Sequence, residues 1–333
     1  MFTVFRSFFG AVPTPLAGLA LGIASLGLGL ENALPLHSLG QTIGAMTAGV
    51  LLLCITCKFI LHPSLLQQEL AHPVLGSILP TFAMGLMLVA KTLGTWHPFS
   101  GEILWLAAIV LHLLFMAAFS WHRIKSLKLH QMVPSWFVPF VGIILAAVTM
   151  PHPKYADFTY ILLAFGMLSY AVLLPVMLYR LMFANEVADA AKPTIAILAA
   201  PASLSLAGYL NLEADPSLLL CSVLLGIALL MTLVIYLSFI KLLRLPFSPA
   251  FAAYTFPMAV GATALYKVSE RLSLYPEAME YARQLGTLAV FEMCVASVIV
   301  GYVSLRYFIY YTNKMGLFNR MAVNRVNSVQ TAE

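Results

Sequence analysis

Glu292 stands about eight residues inside the last apolar stretch of the chain, where an ionised carboxylate costs roughly 2.5–3.5 kcal/mol on insertion scales. Such an acid is paired with a base, held neutral, or drawn into a proton-coupled cycle. A second group of residues could touch an ion directly. Thr14, Thr81, Phe82, Trp136, Phe140, Ser203, Ser205 and Thr255 all lie close to prolines within apolar segments. Hydroxyls and apolar faces make only weak contacts, which suit the wall of a conduit because a solute must leave as readily as it enters. Each hydroxyl also has a competing local role, bonding the carbonyl one turn back in its own helix. His112 lies in an apolar stretch that carries few other polar groups, and hydrogen bonding inside a helix bundle is its expected use. His62, His72, His97, His122, His130 and His152 are scattered without metal-ligand spacing. Cys54 and Cys57 form a C-x-x-C inside an apolar run, where cysteine packs as a small hydrophobe. No metal, cofactor or converging catalytic cluster is expected, which argues against an enzyme.

Those residues need elements to hold them, and composition says what kind. The chain has 333 residues, 61% hydrophobic and 9% charged, with a mean hydropathy of +0.92. A soluble domain carries about 25% charged residues, so this is a polytopic membrane protein. Apolar runs and their breaks predict ten spans at about 12–30, 39–61, 74–94, 102–121, 134–150, 157–181, 193–211, 216–240, 248–267 and 284–309. Little polar sequence is left over, so residues 1–333 read as one transmembrane domain with a short basic tail, 310–333, suited to lipid headgroups. The start of the chain lacks the features of a cleaved signal and reads as the approach to the first span. The net charge of +5 comes without a basic patch interleaved with aromatics, so no nucleic-acid partner is expected. With both termini cytoplasmic, thirteen Lys and Arg fall inside and only five outside, namely Lys91, Lys154, Lys267, Arg271 and Arg283. The positive-inside rule therefore predicts that orientation in a cell inner or plasma membrane.

Prolines give the spans an order. Pro15, Pro80, Pro139, Pro201 and Pro257 recur at steps of 56 to 65 residues, enough for a helical hairpin each time. They fall in spans one, three, five, seven and nine, whereas the even spans hold one interior proline, Pro175. Proline removes a backbone donor and bends a helix. In lipid the freed carbonyl must face protein or a wet cavity. Kinked odd helices thus predict an inner ring around a conduit, with the even helices supporting it. Gly18, Gly22, Ser25 and Gly29 in the first span are spaced to let a neighbouring backbone approach.

Five strings carry a family resemblance: PTPLAGLALGIASLGLGLENALP (13–35), ELAHPVLGSILPT (69–81), GMLSYAVLLPVMLYRL (166–181), LAAPASLSLAGYL (198–210) and FAAYTFPMAVGATALYK (251–267). In that order they resemble the tellurite-resistance/dicarboxylate transporter family, within it the TehA and plant slow-type anion channel branch, over about residues 10–310. The resemblance implies an all-α fold of ten transmembrane helices, five tandem hairpins in quasi-fivefold arrangement around a central pore, assembled as a homotrimer. It also implies that Phe256, in YTFPM, closes that pore; a ring there excludes a hydrated ion by sterics and dewetting. The expected function is a gated channel for small monovalent anions such as chloride or nitrate. The alternative is a proton-coupled carrier of dicarboxylates, sulfite or tellurite-type oxyanions. No Lys or Arg lies mid-span in the odd helices to hold such a substrate, whereas Glu292 favours coupling.

Overall fold

Each of the five recurrent prolines stands where a helix begins or changes pitch, and this sets the architecture. In the computed structural model of the protein the structure describes residues 2–126 and 128–330, with side chains over 6–126 and 128–314. The rest of the basic tail, 331–333, and the side chains beyond 314 lie outside the described residues. Among the described residues fourteen α-helices follow one another: α1 (Phe2–Gly10), α2 (Leu16–Ala33), α3 (Leu39–Leu61), α4 (Pro63–Ala71), α5 (Leu75–Ile78), α6 (Pro80–Trp96), α7 (Pro98–Ile124), α8 (Phe137–Val141), α9 (Leu145–Thr149), α10 (Ala156–Phe183), α11 (Ala200–Leu212), α12 (Leu218–Leu242), α13 (Thr255–Leu272) and α14 (Met279–Gln330). There is no strand among the described residues.

Pro15 precedes α2, Pro80 opens α6, and Pro201 and Pro257 lie in the first turns of α11 and α13. The last two helices follow 3-10 segments, Lys192–Ala199 and Pro249–Tyr254. Pro139 sits inside α8, and a 3-10 turn, Gly142–Ile144, separates α8 from α9. A missing N–H costs least in a first helical turn, where no intrahelical acceptor exists anyway. The prolines therefore set pitch changes near the start of the inner elements instead of kinks at their middles. At Pro139 the disturbed backbone is met from outside: Nε2 of His112 on α7 donates to the Pro139 carbonyl at 3.0 Å.

Burial sorts the helices into two layers. Over the most apolar 18 residues of the stretches 16–33, 75–96 and 192–212, 61–78% are buried, against 28–39% over the most apolar 18 residues of 39–61, 98–124, 153–183, 218–242 and 276–314. α8, α9 and most of α13 belong with the buried group. Inner elements pack on one another in sequence, α2 on α6, α6 on α9, α9 on α11, α11 on α13, and α13 back on α2. The outer helices expose Leu, Ile, Val and Phe side chains, as a surface facing lipid tails must.

Among the described residues eight stretches are long and apolar enough to cross a bilayer, where the sequence predicts ten. The difference lies in two inner elements. Pro134–Thr149 is shorter and broken by its 3-10 turns, and α13 ends in Lys267, Glu270 and Arg271. An element enclosed by protein does not need a lipid-matching composition, so its hydropathy falls.

Candidate functional site

Where the inner elements converge they leave a narrow cavity of about 50 Å³. Its wall takes Gly18 and Leu21 from α2, Thr81 and Met84 from α6, and Phe137, Val138, Val141 and Gly142 from the broken fifth element. The remainder comes from Ile197, Ala200, Pro201 and Leu204, and from Ala252, Ala253, Phe256 and Pro257. The lining is almost wholly apolar. Its one hydroxyl, Thr81 Oγ1, donates to the Ile78 carbonyl at 2.7 Å and so turns away from any occupant. A hydrated ion entering this space would lose water and find no donor in return, which makes the wall a barrier.

Phe256 is 8% exposed and belongs to that wall. Its position is fixed through its neighbour. Thr255 Oγ1 donates to the Ala252 carbonyl at 2.7 Å and, across the helix interface, to the Gly18 carbonyl at 3.2 Å. α2 permits this approach only because Gly22 lacks a side chain. A Cβ there would lie 2.1 Å from Thr255 Oγ1 and 3.1 Å from the Phe256 nitrogen.

Of the residues singled out from the sequence, Gly18, Thr81, Pro201, Phe256 and Pro257 line the cavity. Pro15, Pro80, Pro139, Phe82, Phe140 and Thr255 stand outside its lining. Phe140 packs edge-on to Phe119 with ring centroids 6.2 Å apart. Trp136 anchors the loop before α5, donating Nε1 to the Pro73 carbonyl at 3.1 Å. Thr14 serves a different structure: it accepts from Lys58 Nζ at 2.8 Å and donates to Glu69. Lys58 and Glu69 form an ion pair at 2.6 Å, with Lys58 buried and Glu69 nearly so. That triad ties α3 and the short helix α4 to the start of α2. The sequence carried one signal of it, an acid eleven residues after a lysine across the Pro63 break.

Ser203 and Glu292 meet in a second, smaller space of about 10 Å³ between α11, α12, α13 and α14, with Thr232 and Gly261. Glu292 is 3% exposed, and among the described residues no hydrogen bond or ion pair reaches it. Its Oε2 packs against Gly261, where a Cβ would come within 2.8 Å. The acid therefore sits behind the helix that carries Phe256, off the central cavity. No group of three His, Cys, Asp or Glu among the described residues could hold a metal, and the four cysteines are free.

A two-layer bundle of apolar helices around an internal cavity defines a multi-pass membrane protein of the channel or transporter class. The chain belongs to the SLAC1 voltage-dependent anion channel family, whose pattern matches residues 13–308. It is similar to an uncharacterized transporter of Methanocaldococcus jannaschii, 26% identical over 66% of this chain and 71% of the relative. A tellurite resistance protein TehA homolog of Haemophilus influenzae is 25% identical over 77% of this chain and 81% of the relative.

Proposed function

We propose that this protein is a gated channel for small monovalent inorganic anions of the chloride or nitrate kind. On this reading the broken fifth element and α13 count as crossings, giving ten helices as five hairpins in quasi-fivefold arrangement within a single transmembrane domain. Both termini are cytoplasmic, the protein sits in the cell inner or plasma membrane, and three copies assemble with one pore each. Phe256 is the gate. The observation that carries the reading is the apolar cavity walled by every inner element, with Phe256 in its wall. The family match supports anion movement as the task.

The test is nitrate flux into liposomes and current across planar bilayers for Phe256→Ala. Removing the ring widens the path and admits water, so conductance rises and does not saturate with anion concentration. A properly folded Phe256→Ala protein with unchanged current refutes the gate. The unpaired Glu292 favours a second reading, a proton-coupled carrier of dicarboxylate, sulfite or tellurite-type oxyanions. The same recordings separate the two: saturating flux that moves protons, and stops moving them in Glu292→Gln, is the carrier's result. The off-axis position of Glu292 and the absence of any cation in the cavity lining support the channel.

A further inference from the structure

Two lysines on inner helices lack a carboxylate partner, and the structure joins them through one asparagine. Lys91 on α6 donates Nζ to the Val148 carbonyl at 2.8 Å. Asn211 on α11 donates Nδ2 to the adjoining Ala147 carbonyl at 2.8 Å, and its Oδ1 accepts from Lys267 Nζ on α13 at 2.9 Å. A hydrogen-bonded chain thus spans four of the five inner elements. Both lysines are half-buried, and their charges are near enough to repel one another. Glu270, exposed, attracts Lys267 from the outer side, but no ion pair among the described residues includes Lys91 or Lys267.

Helix geometry aligns these groups with the cavity. Lys91 follows the cavity-lining Met84 by seven residues and Asn211 follows Leu204 by seven, while Lys267 follows Phe256 by eleven. At 3.6 residues per turn each returns to within about 20° of the same bearing, two or three turns further along. The polar chain therefore crosses the continuation of the central cavity. An ammonium has three N–H donors, and each lysine uses one on protein. Four charged donors remain, held together against their mutual repulsion.

We propose that Lys91, Lys267 and Asn211 form a binding site for a small inorganic anion at the end of the path beyond Phe256. An anion between the two ammonium groups relieves their repulsion and accepts the unused donors. The site concentrates anions and rejects cations at a mouth of a path whose apolar wall offers no charge of its own. The proposal deepens the channel reading and rests on it for the path, but not for the binding.

The experiment measures binding and transport separately on the full chain. In detergent, nitrate and then chloride are titrated against thermal unfolding, since a ligand bound only by the folded state raises the melting temperature by mass action. Lys91→Gln and Lys267→Gln keep an amide donor for Val148 and Asn211 while removing the charge. The expected result is a saturable anion-dependent rise for the parent protein and for Lys267→Arg. The paired Gln substitutions require about tenfold more anion for the same rise, since a charge-assisted hydrogen bond exceeds a neutral one by at least that factor. An anion response unchanged in folded Lys267→Gln, or no saturable response in the parent, overturns the site. Liposome flux is then read on the same proteins. Binding that disappears with the lysines while Phe256→Ala still passes no nitrate leaves the site standing and removes the channel reading.

Discussion

Gly22→Ala places one methyl group at the contact that positions the Phe256 ring. The added carbon would meet Thr255 Oγ1 at 2.1 Å and Thr255 Cβ at 2.4 Å. Rotating the hydroxyl away leaves the Cβ clash, because that atom is fixed to the α13 backbone. The two helices must therefore separate by roughly 1 Å at a wall packed as densely as an organic crystal. Overpacking of this kind costs about 1–3 kcal/mol, and the displaced Thr255 loses its bond to Gly18 for about 1 kcal/mol more. A destabilisation of about 3 kcal/mol is expected in a reversible detergent-unfolding titration. The same displacement moves Phe256, so nitrate leak into liposomes rises. Thr255→Gly removes the opposing carbon, leaving the Phe256 nitrogen at 3.1 Å as the tight contact. Combined with Gly22→Ala it relieves the overpacking but not the lost bond to Gly18, and glycine in a helix costs about 1 kcal/mol more, so the double variant recovers about 1 kcal/mol of the loss. The same stripe provides an internal control. At Gly29 a Cβ meets the flexible tip of Met293 at 2.5 Å, so Gly29→Ala is accommodated by rotation of that side chain. Gly22→Ala within about 0.5 kcal/mol of the parent and as tight to nitrate would refute the coupling between this contact and Phe256.

Glu69→Gln leaves Lys58 buried without its counter-charge. Removing one partner of a fully buried pair costs 3–5 kcal/mol, and the slight exposure of Glu69 lowers this to about 2–3 kcal/mol, read as a shift in the same unfolding titration. Lys58→Met together with Glu69→Leu should be much milder than either single change. At His72, between α4 and α5, Nδ1 accepts from the Val74 and Leu75 amides at 3.2 Å, a role only the uncharged acceptor can fill. Burial first, and Arg123 second, hold the His72 pKa below its ordinary 6.5. The unfolded chain then takes up a proton before the folded one. The stability due to this contact is fully present above about pH 6.5 and is lost as pH falls through the depressed folded value. His72→Asn substitutes an acceptor that does not titrate, and should flatten the acid limb of stability against pH measured between 7 and 5. An unchanged acid limb would show that the contact contributes nothing.

The layering was legible because proline spacing and burial have one physical cause. A backbone with a missing donor must be enclosed by protein, so helices that carry such breaks collect at the centre, and Pro15, Pro80, Pro139, Pro201 and Pro257 marked those five elements. What could not be read was where each proline stands within its element. Kinked odd helices were expected, and Pro201 and Pro257 stand in the first turns of helices that follow 3-10 segments. Hydropathy also misleads at the centre: α13 is buried over Thr255–Leu265 yet carries Lys267, Glu270 and Arg271 in its less enclosed last turns, which lowers the apolar character of the whole helix. The hydroxyls were the least legible feature. Thr14, Ser203 and Thr255 sit beside the right prolines, yet side-chain direction depends on helix phase, which a 3-10 turn resets unpredictably.

That reset phase bears on how anion preference can arise at all. A channel built from continuous helices could line its middle with the hydroxyls that follow each proline. Here the pitch changes turn Thr255 toward Gly18, Thr81 toward Ile78 and Ser203 toward the Glu292 space, leaving the centre to Leu, Met, Val and Phe side chains. An apolar constriction offers no fixed charge or dipole with which to favour an anion over a cation. Charge selection must then be made by fixed charges away from the constriction. The unpaired acid lies behind the wall, whereas Lys91 and Lys267 lie along the cavity's own bearing. A pore of this design should therefore lose anion-over-cation preference when those lysines are neutralised, and keep it when Phe256 is cut back to alanine.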